Sequence, residues 1–166
     1  TSSRRQRQMC IRDRRYTVLN SIEEYLSDKN NAKLIVDIAA GAEDNSIVFA
    51  NACNRIVVVI IGEPTSFIDS YALIKAINAT SSFKNFSIVV NQTENYQQSI
   101  ELFKKFEKIA MKFLDVKLHY VGFIEYSKYI KDSIINRKPI ILSDPKSDIS
   151  LRFTKIATEI LKLSLI

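Results

Sequence analysis

A chain of 166 residues with 46% apolar residues can bury one real core, which excludes a disordered or fibrous protein. Two cysteines, Cys10 and Cys53, and a single histidine, His119, show no zinc spacing, no Cys/His dyad and no disulfide framework, and they fit a reducing cytosol. The net charge of +6 invites a nucleic-acid reading, but residues 1–15 hold six arginines against Asp13, which is +5 and leaves +1 for the remainder.

The basicity therefore belongs to an arm. It has no aromatic interleaving and no periodic face, so nucleic acid is not an expected partner. Its string RRQRQMCIRD resembles translated adapter sequence, and residues 1–15 are expected to be a non-native or disordered arm outside the fold. The longest uninterrupted apolar run, Ile56 to Ile61, is far short of the roughly 20 residues a membrane helix needs, and the chain is expected to be soluble.

From Tyr16 to Asp28, apolar residues recur at helical spacing (Val18, Leu19, Ile22, Leu26). Lys33 to Asp37 reads as a buried strand ending in an acid, followed by the small-residue turn Ala39-Ala40-Gly41 and by Asp44-Asn45 capping a helix over Ser46–Cys53. Arg55 leads into IVVVIIG, a β-branched run expected to be covered on both faces. A helix is predicted from Thr65 to Asn78, a strand over Phe86–Val90, and a long helix from Tyr96 to Leu114. The core side of that helix would carry Ile100, Phe103, Phe106, Ile109, Ala110, Phe113 and Leu114. A strand over Leu118–Ile124, a helix over Tyr126–Asn136, an extended Pro139–Leu142 and a turn at Asp144-Pro145 follow. A closing helix over Asp148–Leu163 would turn Leu151, Phe153, Ile156, Ala157, Ile160 and Leu161 inward.

Strand and helix alternate four times, which predicts one α/β domain over residues 16–166 with a mainly parallel sheet and helices on both faces. In such a sheet the carboxyl ends of the strands share one rim, where open α/β sheets bind ligands. Asp37, Glu63, Pro64, Thr65, Asn91 and Glu125 are expected on it. Asp37 could hold a magnesium ion through water, and the small residues after it leave room for a large anion near the backbone. Each residue also has a plain structural reading: a strand-ending Asp or Asn often satisfies turn amides, and four lysines on the long helix read as a solvated face.

The segments IVDIAAGAEDNSI, VVVIIGEPTSFIDSYALIK and SIVVNQ, followed by FLDVKLHYVGFI and RKPIILSDPKSDIS, resemble the C-terminal part of the MinD/ParA-type ATPases, most nearly the flagellar-number FlhG (YlxH) branch. EPTSFIDSYALIK is the most specific of them. The resemblance spans Lys33 to Ile166 and implies a partial P-loop NTPase (Rossmann-like) fold and a deviant Walker ATPase that dimerises around ATP and Mg2+. By it, Asp37 is the catalytic acid and metal residue, and Ala39, Ala40 and Gly41 form the turn that senses the γ-phosphate. Asn91 contacts adenine beneath Asp144 and Pro145, and Glu63 and Pro64 border the nucleotide and the dimer face. The implied partners are a second copy, an FlhF-type GTPase, flagellar C-ring proteins and the inner membrane surface, at a cytoplasmic or peripheral location.

The sequence departs from the family in several places. It has no G-x-x-x-x-G-K-[ST] loop, Ala39 replaces the first glycine of the family's turn, and Glu125 and Ser127 replace the Pro and Asp after the closing strand. The family's amphipathic membrane-targeting helix is expected to be absent or reduced to a stub at Lys162-Leu-Ser-Leu-Ile. The expectation is therefore a fragment without the P-loop strand, inactive alone and without tight nucleotide binding, or else a non-catalytic protein-binding remnant. A phosphoacceptor receiver domain is disfavoured, because no acidic pair ends the first strand and no Lys-Pro follows the last.

Overall fold

The computed structural model describes residues 17–27, 33–39 and 41–163, and the described residues belong to two compact units, Thr1–Asn54 and Arg55–Ile166. The arginine arm and Ala40 lie outside them.

In the first unit, helix α1 (17–27) follows the predicted apolar spacing. The strand expected at Lys33–Asp37 is not formed: residues 33–39 carry no ladder, and Ile35 is 90% exposed. Its β-branched residues favour an extended backbone, but a strand exists only through a hydrogen-bonded neighbour, and none is present among this unit's described residues. Helix α2 (Asp44–Asn51) starts two residues before the predicted Ser46, because Glu43, with an extended backbone, takes the N-cap position. Asp44 then sits in the first turn, where a carboxylate favours the positive end of the helix.

The second unit runs β1 (Ile56–Ile60), α3 (Pro64–Ser81), β2 (Asn85–Thr93), α4 (Tyr96–Phe113), β3 (Lys117–Glu125), α5 (Lys128–Ile135), α6 (Ile140–Ser143) and α7 (Asp148–Lys162). The three strands form one parallel sheet in the order β1-β2-β3. This is the expected mixed α/β, partial Rossmann-like architecture.

Helix α4 lies on one face of the sheet, where Phe103 meets Tyr120 at 5.4 Å and Tyr96 meets Phe123 at 5.8 Å. Beside it α3 is held by the edge-to-face pair Phe67–Phe106 at 5.3 Å. On the other face, α7 brings Ile156, Phe153 and Ile160 against Val89, Val121 and Ile124. The middle strand is consequently buried at every residue from Phe86 to Val90.

Strand β1 differs from its prediction. Ile56, Val58 and Ile60 are buried, but Val57 and Val59 are 38% and 54% exposed, so only one face is covered. It is an outer strand of this sheet, and the apolar side chains of α7 pack on β2 and β3. Strand β3 carries a bulge: Ile88 pairs with Tyr120 but Val89 with Gly122, leaving Val121 extra. Gly122 has φ +144°, and a Cβ there would lie 2.6 Å from Ile156 Cγ1, so only glycine lets α7 approach this closely.

The extended Pro139–Leu142 expectation also fails. Pro139 is the N-cap of the single helical turn α6, and its carbonyl accepts from the Leu142 and Ser143 amides at 3.0 and 3.1 Å. Proline blocks a helix interior but not its start. The inward faces are narrower than predicted, with Ile109 and Phe113 on α4 and Leu151 and Leu161 on α7 exposed. No helix among the described residues is long and apolar enough to cross a membrane.

Candidate functional site

The parallel order puts the residues after β1, the end of β2 and the end of β3 on one rim of the second unit. Helix α7 runs back from that rim: Arg152 meets Glu125 at the end of β3, Ile156 faces Gly122 farther down, and the Leu161 carbonyl accepts from Arg55 just before β1. The Asp144-Pro145 turn, directly ahead of α7, therefore also stands at the rim. Glu63, Pro64, Asn91, Glu125, Asp144 and Pro145 share one end of the sheet.

Each has a local structural cause. Pro64 opens α3, where its missing amide costs nothing, and Glu63 is the extended N-cap residue without a side-chain cap. The Ile61 amide donates to Ser66 Oγ at 3.1 Å, which ties the end of β1 to the first turn of α3. Asn91 lies within β2 rather than beyond it. Its Oδ1 accepts from the Gln92 amide at 2.9 Å, and Gln92 takes φ +58°. The Thr93 carbonyl accepts from the Tyr126 amide at 2.9 Å, joining the ends of β2 and β3. Its side chain is fully buried, and Oγ1 has no hydrogen-bond partner.

The turn at Asp144 is fixed through its backbone. The Asp144 carbonyl accepts from Ser147 Oγ at 2.9 Å and from the buried Ser150 Oγ at 2.6 Å, while Ser147 Oγ caps α7 by accepting from the Ser150 amide. The Asp144 and Pro145 side chains stay exposed. Arg152 Nη2 donates to Glu125 Oε1 at 2.7 Å and stacks 4.2 Å from the Phe123 ring centroid, while its buried Nε has no partner. Arg152 and Thr93 are polar rim residues that the sequence reading missed. Arg152 had a signal: beyond residue 15 only Arg55, Arg137 and Arg152 break an otherwise all-lysine set of cations.

Asp37, Ala39 and Gly41 belong to the first unit, and Ala40 lies outside the described residues. Asp37 is exposed on a segment without strand structure. The Ala39 carbonyl accepts from the buried Ser46 Oγ at 3.4 Å, a long bond that links the turn to α2. Gly41 has φ +104° with nothing within 4 Å of where a Cβ would be. Its need for glycine is conformational rather than steric.

The residues fit one end of a nucleotide better than the other. The rim of the second unit offers an amide, a stitched turn and exposed polar groups suited to a base edge. Phosphates need glycine-rich backbone free to approach them. Gly62 is packed 3.3 Å (as an added Cβ) from Leu102 and Gly122 is packed against Ile156, so neither is available.

No protein-family model matches the chain. It is 35% identical to the antiactivator FleN of Pseudomonas aeruginosa over 127 residues, 76% of this chain and 45% of FleN. The chain is FlhG/YlxH-like. It is also 28% identical to the flagellum site-determining protein YlxH of Helicobacter pylori over 125 residues, 75% of this chain and 42% of that protein. The expected likeness to the FlhG/YlxH branch is borne out, and the chain spans less than half the length of these curated relatives.

Proposed function

We propose that this FlhG/YlxH-like chain is the C-terminal portion of a MinD-like ATP-dependent switch that regulates flagellar number or placement. The observation that carries the reading is its identity to FleN over three quarters of its length, supported by a parallel sheet that collects Glu63, Pro64, Asn91, Asp144 and Pro145 at one rim. In the intact switch, Asn91 and the Asp144-Pro145 turn hold the adenine, and Glu63 and Pro64 border the dimer face. In the first unit, Asp37 would hold magnesium and orient the attacking water, and Ala39, Ala40 and Gly41 would sense the γ-phosphate. Bound ATP·Mg2+ supplies the hydrolysable phosphoanhydride. The partners are a second copy, an FlhF-type GTPase, flagellar C-ring proteins and the inner membrane surface, reached from the cytoplasm.

Two measurements test this. Calorimetric titration of the chain with ATP·Mg2+ should give a Kd above about 1 mM, because its sequence carries no G-x-x-x-x-G-K-[ST] loop. A chimera that completes the chain with the remainder of FleN should bind at micromolar concentration and hydrolyse ATP, and Asp37→Asn should slow hydrolysis by roughly 10²-fold with binding retained. Micromolar affinity of the chain alone would defeat the fragment reading. A chimera that binds FleN's partners without hydrolysis would favour the non-catalytic remnant.

A further inference from the structure

Strand β2 leaves its ladder irregularly. Asn91 pairs with Ile124 and Thr93 with Glu125, so two steps on β2 match one on β3 and Gln92 is extra. Gln92 holds φ +58°. Among the described residues, the other non-glycine residues with a positive φ are Ser82 and Arg137, and both follow the end of a helix, where a left-handed residue satisfies the last carbonyls. Gln92 has no such cause: it lies inside a strand, at a position that glycine would fill without strain.

The next residue adds an independent cost. Thr93 is fully buried and its Oγ1 has no hydrogen-bond partner, so the hydroxyl has left water without compensation. Against these two penalties stands the bond in which Asn91 Oδ1 accepts from the Gln92 amide at 2.9 Å. Removing the bulge would cancel both penalties. Gln92 would come opposite Glu125 with an extended backbone, and its carbonyl would take over the Tyr126 amide that the Thr93 carbonyl now holds at 2.9 Å. Thr93 would move one place along and turn its side chain out of the buried position, because side chains alternate along a strand. The surplus residue passes into Thr93-Glu94, ahead of the Asn95 cap of α4.

The register here also decides what Asn91 can offer. A base edge with an amino group beside a ring nitrogen is matched by both ends of a carboxamide, and the oxygen end is turned onto the neighbouring amide. We infer that the Asn91–Thr93 end of β2 is a two-state register switch, latched in the bulged state by the Asn91 side chain and released when an adenine edge takes Asn91 Oδ1. The release step rests on the nucleotide reading above, whereas the two-state equilibrium rests on Gln92 and Thr93 alone. A ligand shifts such an equilibrium only through its preference for one state, and competition for Asn91 Oδ1 supplies that preference.

Amide relaxation dispersion on the full chain without ligand should show millisecond exchange at Gln92, Thr93 and Tyr126 and none at Phe86, in the regular part of the ladder. Gln92→Gly relieves the left-handed backbone, and Thr93→Val keeps the shape while deleting the buried hydroxyl. Each should raise the thermal midpoint and lower the minor-state population, roughly fivefold for the glycine. Gln92→Val, β-branched and averse to a positive φ, should raise that population. Adenosine, which carries no phosphate, should at millimolar concentration move the same three amides toward their minor-state shifts. Flat dispersion at Gln92 and Thr93, or an unchanged population in Gln92→Gly, overturns the inference whatever adenosine does. Adenosine that shifts the Asp144 amide but leaves Gln92 and Thr93 in place overturns it while the nucleotide reading stands. Adenosine that moves no rim amide defeats that reading, and the release step falls with it even where the dispersion is found.

Discussion

Strands β1 and β2 carry nearly interchangeable runs, IVVVI and FSIVV, yet they live in different environments. In β2 all five residues are buried, because α4 covers one side and α7 the other. In β1 burial alternates, and Val57 and Val59 face outward. The contrast shows that a β-branched run reports a preference for the pleated backbone, whereas the number of covered faces is decided by neighbours the run cannot see.

The sharpest way to break this contrast is to truncate one residue from each strand. Ile88→Ala, at a fully buried position, should cost about 2–5 kcal/mol in urea unfolding, and Val59→Ala should cost under about 1 kcal/mol. Equal losses would mean that the outward face of β1 is covered after all. A smaller effect probes what lets α7 cover the other side of the sheet. Gly122→Ala should cost about 1–3 kcal/mol from the strained φ and the clash with Ile156. The double variant with Ile156→Ala should lose less than the sum of the two single changes in a double-mutant cycle.

The smallest effect lies on the α4 side. Tyr120 Oη and Ser99 Oγ are 2.8 Å apart, and Tyr120→Phe should cost about 1 kcal/mol by leaving the buried serine with one partner fewer. Burial pushes the Tyr120 phenol above the ordinary tyrosine value, partly opposed by its hydrogen bond to Ser99. The folded state therefore holds this proton more tightly than the unfolded chain does. The stability so conferred is intact below about pH 10 and is lost as the pH rises through the raised value. Unfolding midpoints followed above neutrality should fall less steeply at the alkaline end in Tyr120→Phe than in the parent.

The elements held by short-range signals were legible from the sequence. Helix α4 shows both its apolar period and its cap, where Asn95 Oδ1 accepts from the Gln98 amide at 2.9 Å. β2 and β3 were placed to within three residues at each end because they sit between clear turn residues. The failures depended on partners. Lys33–Asp37 has the composition of a strand but no ladder, Pro139 reads as a breaker although it starts a helical turn, and the bulge at Val121 leaves no mark on the local pattern. At the rim, Asn91 and Asp144 were found as strand-end and turn residues. The Arg152–Glu125 pair joins residues 27 apart in sequence, and the buried Thr93 hydroxyl looks like any strand threonine until its surroundings are known.

Ile156 settled into the hollow above Gly122 works as a detent on α7. For the helix to slide along its axis or roll, that side chain would have to climb over the neighbouring residues of β3, while the Arg152–Glu125 bond resists the same travel at the other end. The height of the Asp144-Pro145 turn above the sheet is thus set mechanically from below, and any opening or closing at that corner must come from bending of the turn rather than from transport of the helix behind it.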